Sequence, residues 1–360
     1  MVIFLPSHSM SQTLLSQHVA ELSALEHRDL MGRLQTARIP GVEVIVVASA
    51  AASPVVLDYY ARLAQPDAAL SARARISCID VPDDSARGVA AKLLERPDLM
   101  PELRRRIHGR IAFIEPWNVT SDEVAVALAL DVPINGSPPA LWPLGFKSAA
   151  RRLFRDAKVP IPLGVEDVHD ATEVAAAIQR IRRNAPALDG VVIKLDNSGA
   201  GAGNWTMSTR DDTGRELTTT QLCSRIDRKA APSFMAALAE GGVVEELVTG
   251  RELSSPSAQV EIRPDGQVVL LATHEQVLGG EHAQVFTGSR FPARSTYAVE
   301  LGQHVTAAAR LLADAGAVGW VTVDFVAKPH GEGWTVLAVD LNSSTCEKGG
   351  RQLRTPPCDS

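Results

Sequence analysis

A change of hydrophobic rhythm near residue 140 constrains this chain more than its composition does. Before that point, short β-rich apolar runs at Val2 to Leu5, Val42 to Val47, Arg75 to Val81 and Ile111 to Ile114 alternate with helix-like stretches. The alternation predicts a parallel sheet wrapped by helices, because parallel strands need a crossover long enough to hold a helix. Met100 to His108 and Ser121 to Leu130 read as two such helices. Thr120 or Ser121 can cap the second, and Asp122 and Glu123 suit the positive end of its dipole. Pro133 and then Pro138-Pro139 break the pattern and set the first domain boundary after residue 139.

Beyond it, helices are expected from Lys147 through Arg155 and from Asp170 to Arg183, followed by a strand at Val191 to Leu195. After Gly241-Gly242 the chain turns β-rich, with runs at Val243 to Val248, Ala258 to Ile262 and Val268 to Thr273, and with Pro264-Asp265-Gly266 as a turn. A helix over Tyr297 to Ala315 precedes a closing hairpin of Val321 to Ala327 and Trp334 to Leu341. The expectation is an α/β domain over 1–139, then two α+β subdomains over 140–242 and 243–360. A chain of 360 residues is long enough for two or three packed units.

Several function classes fall away on composition. A net charge of −6 with scattered Arg and Lys argues against a nucleic-acid surface, and the basic stretch Arg104 to Arg110 reads as a solvated helix face. Cys78, Cys223, Cys346 and Cys358 form no CxxC pair and suggest neither zinc nor a disulfide framework. The amino terminus lacks the basic flank and long apolar run of a signal peptide, and no later run approaches a membrane span. A cytoplasmic protein with no membrane or nucleic-acid partner is expected, and Asn118-Val119-Thr120 is then a sequon by letter alone.

The most informative loop is Asn197-Ser198-Gly199-Ala200-Gly201-Ala202-Gly203-Asn204. Glycines let a backbone approach phosphate closely and aim several N–H groups at it. A dinucleotide fingerprint would need a helix next, whereas Trp205-Thr206-Met207-Ser208 resumes a strand. Alone, such a loop is equally a flexible hairpin. Lys194, ending the apolar strand just before it, favours phosphate, since a fixed cation there can meet an α- or β-phosphate. Downstream, Glu245 and Glu246 lie inside the apolar run Val243 to Val248, with Glu252 shortly after, and buried acids need partners. A strand offering backbone groups to adenine and a carboxylate to ribose would supply them. Asp324, Asp340 and Asn342 sit on the closing strands, where period two puts Asp340 and Asn342 on one face. Two carboxylates and an amide oxygen make a hard-oxygen set of the kind Mg2+ uses.

Taken in order, these pieces resemble the ATP-grasp superfamily: a lysine opening a helix at Gly145-Phe146-Lys147-Ser148, Lys194 on a strand, a glycine-rich flap, a Glu-Glu hinge, then Asp324 and Asp340-Leu341-Asn342. More narrowly, the chain is similar to ATP-grasp peptide ligases of the pheganomycin type through Leu5-Pro6-Ser7, Leu93-Leu94-Glu95-Arg96-Pro97, Trp117-Asn118-Val119-Thr120, Val244 to Gly250, Thr273 to Gly280 and Arg290-Phe291-Pro292.

The resemblance implies that Lys147 and Lys194 hold the phosphates of ATP and that Asn197, Ser198, Gly199, Gly201, Gly203 and Asn204 close over them. It implies that Glu245, Glu246, Leu247 and Val248 bind adenine, and that Asp324, Asp340 and Asn342 carry Mg2+, with Mn2+ as the alternative. It also implies an acyl-phosphate mechanism joining a small-molecule or peptide carboxylate to an amine. Arg290 is the candidate grip on the transferring phosphoryl group or the substrate carboxylate, and His274 and Gln276 rank below it. After Asn342 the family continues with a basic residue and Lys-Gly-Gly-Thr-Thr-His, while this chain has Ser343-Ser344-Thr345-Cys346-Glu347-Lys348-Gly349-Gly350, an ending that reads as shortened. A nucleotide-binding protein without full ligase activity is therefore the alternative, and a homodimer is left open.

Overall fold

The computed structural model describes residues 1–7, 16, 22–27, 30–64, 69–198, 203–250, 252–279 and 285–343. Its contacts divide it into two compact units, Met1–Pro139 and Ala140–Ser343.

The first unit is built on four parallel strands, β1 (Val2–Leu5), β2 (Val44–Ala48), β3 (Ile76–Asp80) and β4 (Phe113–Pro116), in the order β3-β2-β1-β4. Alternation explains why β1 and β2 read as unbroken apolar runs. Ile3, Leu5, Ile45 and Val47 join the core on one face, while Val2, Phe4, Val44 and Val46 join the core on the other. The helix Ser121–Leu130 forms where the sequence places it, with Thr120 and Glu123 completing a reciprocal capping box. Among the described residues no helix is long and apolar enough to cross a membrane.

The second unit holds two antiparallel sheets. One, in the order β5-β8-β6-β7, comprises β5 (Gly164–Val165), β6 (Gly190–Leu195), β7 (Asn204–Ser208) and β8 (Gly242–Glu246). The helices Ala171–Asn184, Thr219–Lys229 and Pro232–Leu238 pack on it through Val174, Ile178, Ile181, Leu222, Ile226 and Leu238. The other, in the order β11-β10-β9-β12-β13, comprises β9 (Pro256–Ile262), β10 (Val268–Gly279), β11 (Val285–Arg290), β12 (Gly319–His330) and β13 (Gly333–Ser343). Ala258, Val260, Val321, Val323 and Phe325 alternate toward a core shared with Tyr297, Leu301 and Val305 beside the helix Ala298–Asp314, and with Ala150 and Phe154 of the helix Lys147–Asp156.

One expectation shifts, and one strand appears that the spacing did not announce. The strand Gly242–Glu246 pairs with β5 and β6, so it belongs to the first of these sheets, and a division at residue 242 would cut through that sheet. An apolar run with two acids cannot show from its own spacing which sheet takes it. The segment before Arg290 is the edge strand β11, paired with β10, although its glycine and serine gave little strand signal.

Candidate functional site

Lys147 opens the helix Lys147–Asp156, whose first turn is anchored by Asp196: the Lys147 amide donates to the Asp196 carbonyl at 3.3 Å and the Ser148 amide to its carboxylate at 2.8 Å. Three amphipathic positions of that helix, Lys147, Ser148 and Arg151, are turned inward and buried. Lys194 comes from β6, one residue from its end. Its neighbour across the hairpin is Asn204 of β7. Gly203 is needed there, because a Cβ would collide with the Ser198 side chain.

The two lysines meet β13 at adjacent residues. Lys147 Nζ lies 2.7 Å from Asp340 Oδ1 and donates to the Ser198 carbonyl at 3.1 Å. Lys194 Nζ donates to the Val339 carbonyl at 2.8 Å and pairs with Glu245 Oε2 at 2.5 Å. Both side chains are less than a tenth exposed, at 7% and 9%. Two cations from different elements thus sit where an anion could draw on both.

Opposite them, antiparallel register places Asp324 of β12 directly across from Asp340 of β13. Facing residues on such a pair have Cβ atoms about 5 Å apart. Asp324 Oδ1 accepts from Ser257 Oγ at 2.8 Å and Gln276 Nε2 at 2.7 Å, and its Oδ2 from Asn342 Nδ2 at 3.4 Å. Asp324, Asp340 and Asn342 are therefore brought together as the sequence suggests. All the donors are oxygen once the Asn342 amide nitrogen is spent on Asp324, a set that fits a hard divalent cation and not zinc. Among the described residues no cluster of three or more His, Cys, Asp or Glu side chains offers a competing metal centre.

The hinge acids part company. Glu245 is buried at 3% exposure with both oxygens committed, to Arg151 Nη1 at 2.6 Å and to Lys194. The carboxylate thus bridges two buried cations. Glu246 faces the other way and accepts from the Leu163 amide at 2.9 Å. The amides of Glu246 and Leu247 are spent on the Leu163 and Gly190 carbonyls. Glu252 is exposed on a turn before β9. Gly199 and Gly201 lie outside the described residues, while Asn197, Ser198, Gly203 and Asn204 flank them in the loop.

Arg290 is exposed and pairs in register with Glu275. Glu275 accepts from Tyr297 Oη at 2.6 Å, on the side of the sheet that faces the helix Ala298–Asp314. Cross-strand partners share a face, so register gives Arg290 that side and not the face of Asp324. His274 lies in the same cross-sheet row as Ser257, Asp324 and Asp340, and its ring stacks on Phe291 with centroids 4.6 Å apart. Burial pushes its imidazole below the ordinary value, against the pull of Asp324 and Glu275.

Sequence reasoning missed Arg151, Glu166, Ser257 and Asp196. Arg151 had one signal, its place four residues after Lys147 on one helix face. It binds Glu166 at 2.7 Å as well as Glu245, and Gly164 is small because a Cβ there would sit 2.6 Å from its guanidinium. Burial raises the Glu166 carboxyl, but Arg151 and Arg155 outweigh it and hold the group below its usual range.

With this geometry in view, the comparisons with known proteins take on weight. Residues 229–348 match the model of the family described as IQCH-like, ATP-grasp. The chain is 29% identical over 314 residues to an L-propargylglycine–L-glutamate ligase of Streptantibioticus cattleyicolor, covering 85% of this chain and 63% of the relative. It is 23% identical over 366 residues to the IQ motif-containing protein H of Danio rerio, covering 87% of this chain and 34% of that protein. Among solved structures, a biotin carboxylase from Campylobacter jejuni, in a complex named for β,γ-ATP, superposes with a TM-score of 0.58 at 14% identity, over 95% of this chain and 64% of the other. The chain thus spans less than two thirds of each of these relatives.

Proposed function

The chain carries the ATP-grasp fold, and from that premise we propose that it is an ATP-dependent carboxylate–amine ligase working through an acyl phosphate. The observation that carries this reading is the convergence of Lys147 and Lys194 on β13 beside the facing pair Asp324 and Asp340. That arrangement offers cations to a polyphosphate and oxygen ligands to the Mg2+ that accompanies it. Similarity to a ligase joining L-propargylglycine to L-glutamate supports an amino-acid-like carboxylate and an amine as substrates.

In this reading a carboxylate oxygen attacks the γ-phosphorus of ATP, the bond to the β,γ-bridging oxygen breaks and ADP leaves with that electron pair. The amine nitrogen then attacks the acyl carbon, inorganic phosphate departs, and the nitrogen gives up a proton. Lys147 and Lys194 neutralise the phosphates, and Ser198 and Asn204 border the loop that would close over them. Asp324, Asp340 and Asn342 would hold Mg2+, which supplies Lewis-acid neutralisation of phosphate oxygens when bound. Glu245 and Arg151 fix Lys194 from behind, so the ammonium is aimed before the ligand arrives. Val248, at the end of the hinge, is the amide assigned to adenine.

The test is ADP release by the purified full chain with MgATP and pools of amino acids and small peptides, followed by mass spectrometry of the product. A new amide of the summed mass minus water is expected. Silence across all pools, with ADP still bound, would leave a nucleotide-binding protein and sink the ligase reading.

A further inference from the structure

The two phosphate lysines are not equivalent. Lys194 is paired with Glu245, which lies outside the metal set and stays paired with Arg151 if the ammonium shifts. Lys147 is paired with Asp340, which is itself in that set. Its other bond is to the carbonyl of Ser198, in the loop that borders the phosphates. The single ammonium therefore touches the cation side and the anion side of the site at once.

We propose that Lys147 couples metal and nucleotide binding, its ammonium holding Asp340 until nucleotide phosphates draw it away and free the carboxylate for the divalent cation. The inference rests on the ligase reading's assignment of the lysines to phosphate and of Asp324, Asp340 and Asn342 to metal. A divalent cation arriving alone meets an ammonium already seated on Asp340, and like charges repel at that range in a site shielded from water. Nucleotide arriving alone brings its phosphates against the Asp324–Asp340 pair. Arriving together, phosphates take Lys147 and the cation takes Asp340, so every charge changes partner and none is left bare. Linkage makes the effect reciprocal: whatever factor nucleotide adds to metal affinity, metal adds to nucleotide affinity.

Nothing comparable is built around Lys194. The chain thereby contains its own control, a second buried lysine, Lys194 on β6, whose removal leaves the Lys147–Asp340 pair in place.

The experiment is a titration of Mn2+ into the full-length protein followed by electron paramagnetic resonance of the free ion, with and without ADP, which avoids turnover. Wild-type protein is expected to bind Mn2+ at least about tenfold more tightly with ADP, and ADP more tightly by the same factor with Mn2+. In Lys147→Met, Mn2+ binding without ADP should tighten roughly tenfold and the ADP dependence should shrink to about twofold. Lys194→Met should leave nucleotide-free Mn2+ binding as weak as in wild type. Equal Mn2+ affinity with and without ADP in the wild type overturns the proposal without recourse to any variant. So does a Lys147→Met protein that is folded by circular dichroism and binds nucleotide-free Mn2+ no better than wild type. Amide formation alongside either result would leave the ligase reading intact, whereas failure to bind ADP at all ends both.

Discussion

Lys92 in the parallel-sheet unit and Lys147 in the antiparallel unit are both buried ammonium groups, and they differ in what they are tied to. Lys92, 1% exposed, donates to Ser49 Oγ at 2.8 Å and to the Asp83 carbonyl at 2.7 Å. The neighbouring Glu26 carboxylate accepts from the Ser49 amide and hydroxyl at 2.6 and 2.7 Å. The groups bonded directly to the ammonium are neutral, with the Glu26 and Asp83 carboxylates acting on it at longer range, and the cluster ties together the loops at the carboxyl ends of β2 and β3. Lys147 and Lys194 instead face carboxylates. A neutral partner gives an incoming ion nothing to exchange, whereas an ion pair can be traded for two new ion pairs when anion and cation arrive together. Burial of charge alone is thus a poor guide to function; the charge of the partner discriminates.

The comparison breaks most visibly at Lys194. Lys194→Ala removes one of the two cations on Glu245 and should cost about 3 kcal/mol of unfolding free energy, read from urea denaturation, together with the loss of measurable ADP binding in calorimetry. Full stability would show that Arg151 alone satisfies Glu245.

Lys92→Met should cost less, about 2 kcal/mol, while ADP affinity stays within about twofold of wild type. Its pH dependence sharpens the point. Burial raises the Glu26 carboxyl above its unfolded value of 4.5, and Lys92 opposes that shift. For a raised carboxyl the proton is bound more tightly in the folded state, so the cost of ionisation is absent below pH 4.5 and grows as pH rises through the folded value. The deficit of Lys92→Met should accordingly be largest near neutrality and shrink toward pH 4.5. A deficit that grows on acidification would be incompatible with this account.

A smaller effect is expected from Gln276→Ala or Ser257→Ala, which release one oxygen of Asp324. Mn2+ affinity in the presence of ADP should fall roughly tenfold, the usual scale for residues that orient a metal ligand. Unchanged Mn2+ affinity would mean Asp324 needs no such support.

Smallest of all is the acid edge of the first unit. Hydrogen bonds from Ser85, helped by Arg87, hold the Asp83 carboxyl at about 2 against an ordinary 3.8. A depressed carboxyl stabilises the fold above pH 3.8 and loses that contribution as pH falls through about 2. Ser85→Ala should move the onset of acid unfolding upward toward pH 3.8, as followed by far-UV circular dichroism. An unshifted acid limb would remove Asp83 from the account.

Much of the fold was legible in the residues. Both faces of β1 and β2 are apolar because helices cover both, and that is what an unbroken apolar strand predicts. A cap at Thr120 or Ser121, and Asp340 with Asn342 on one face, could be placed by spacing, since a cap and a period-two face are local properties. The site was legible in kind and less so in detail. Glu245 and Glu246 looked alike as neighbours in one strand, yet alternation sent one to Lys194 and Arg151 and the other to the Leu163 amide. Which side of the sheet Arg290 stands on was not legible either, because its register with Glu275 is set by pairing across β10 and β11. Ser257 and Gln276 carried no local sign of their bond to Asp324, being 67 and 48 residues away from it in sequence.

The sequence by itself determined the elements, the two rhythms that build a parallel and then an antiparallel architecture, and the stock of cations and carboxylates on which the proposed site draws. Tertiary structure decided which charge answers which. Lys147 and Asp340 are 193 residues apart and neither has a neighbour in sequence that announces the other. Spacing fixes the face on which a side chain stands, but an ion pair depends on two faces being packed together, and only the folded chain brings them there.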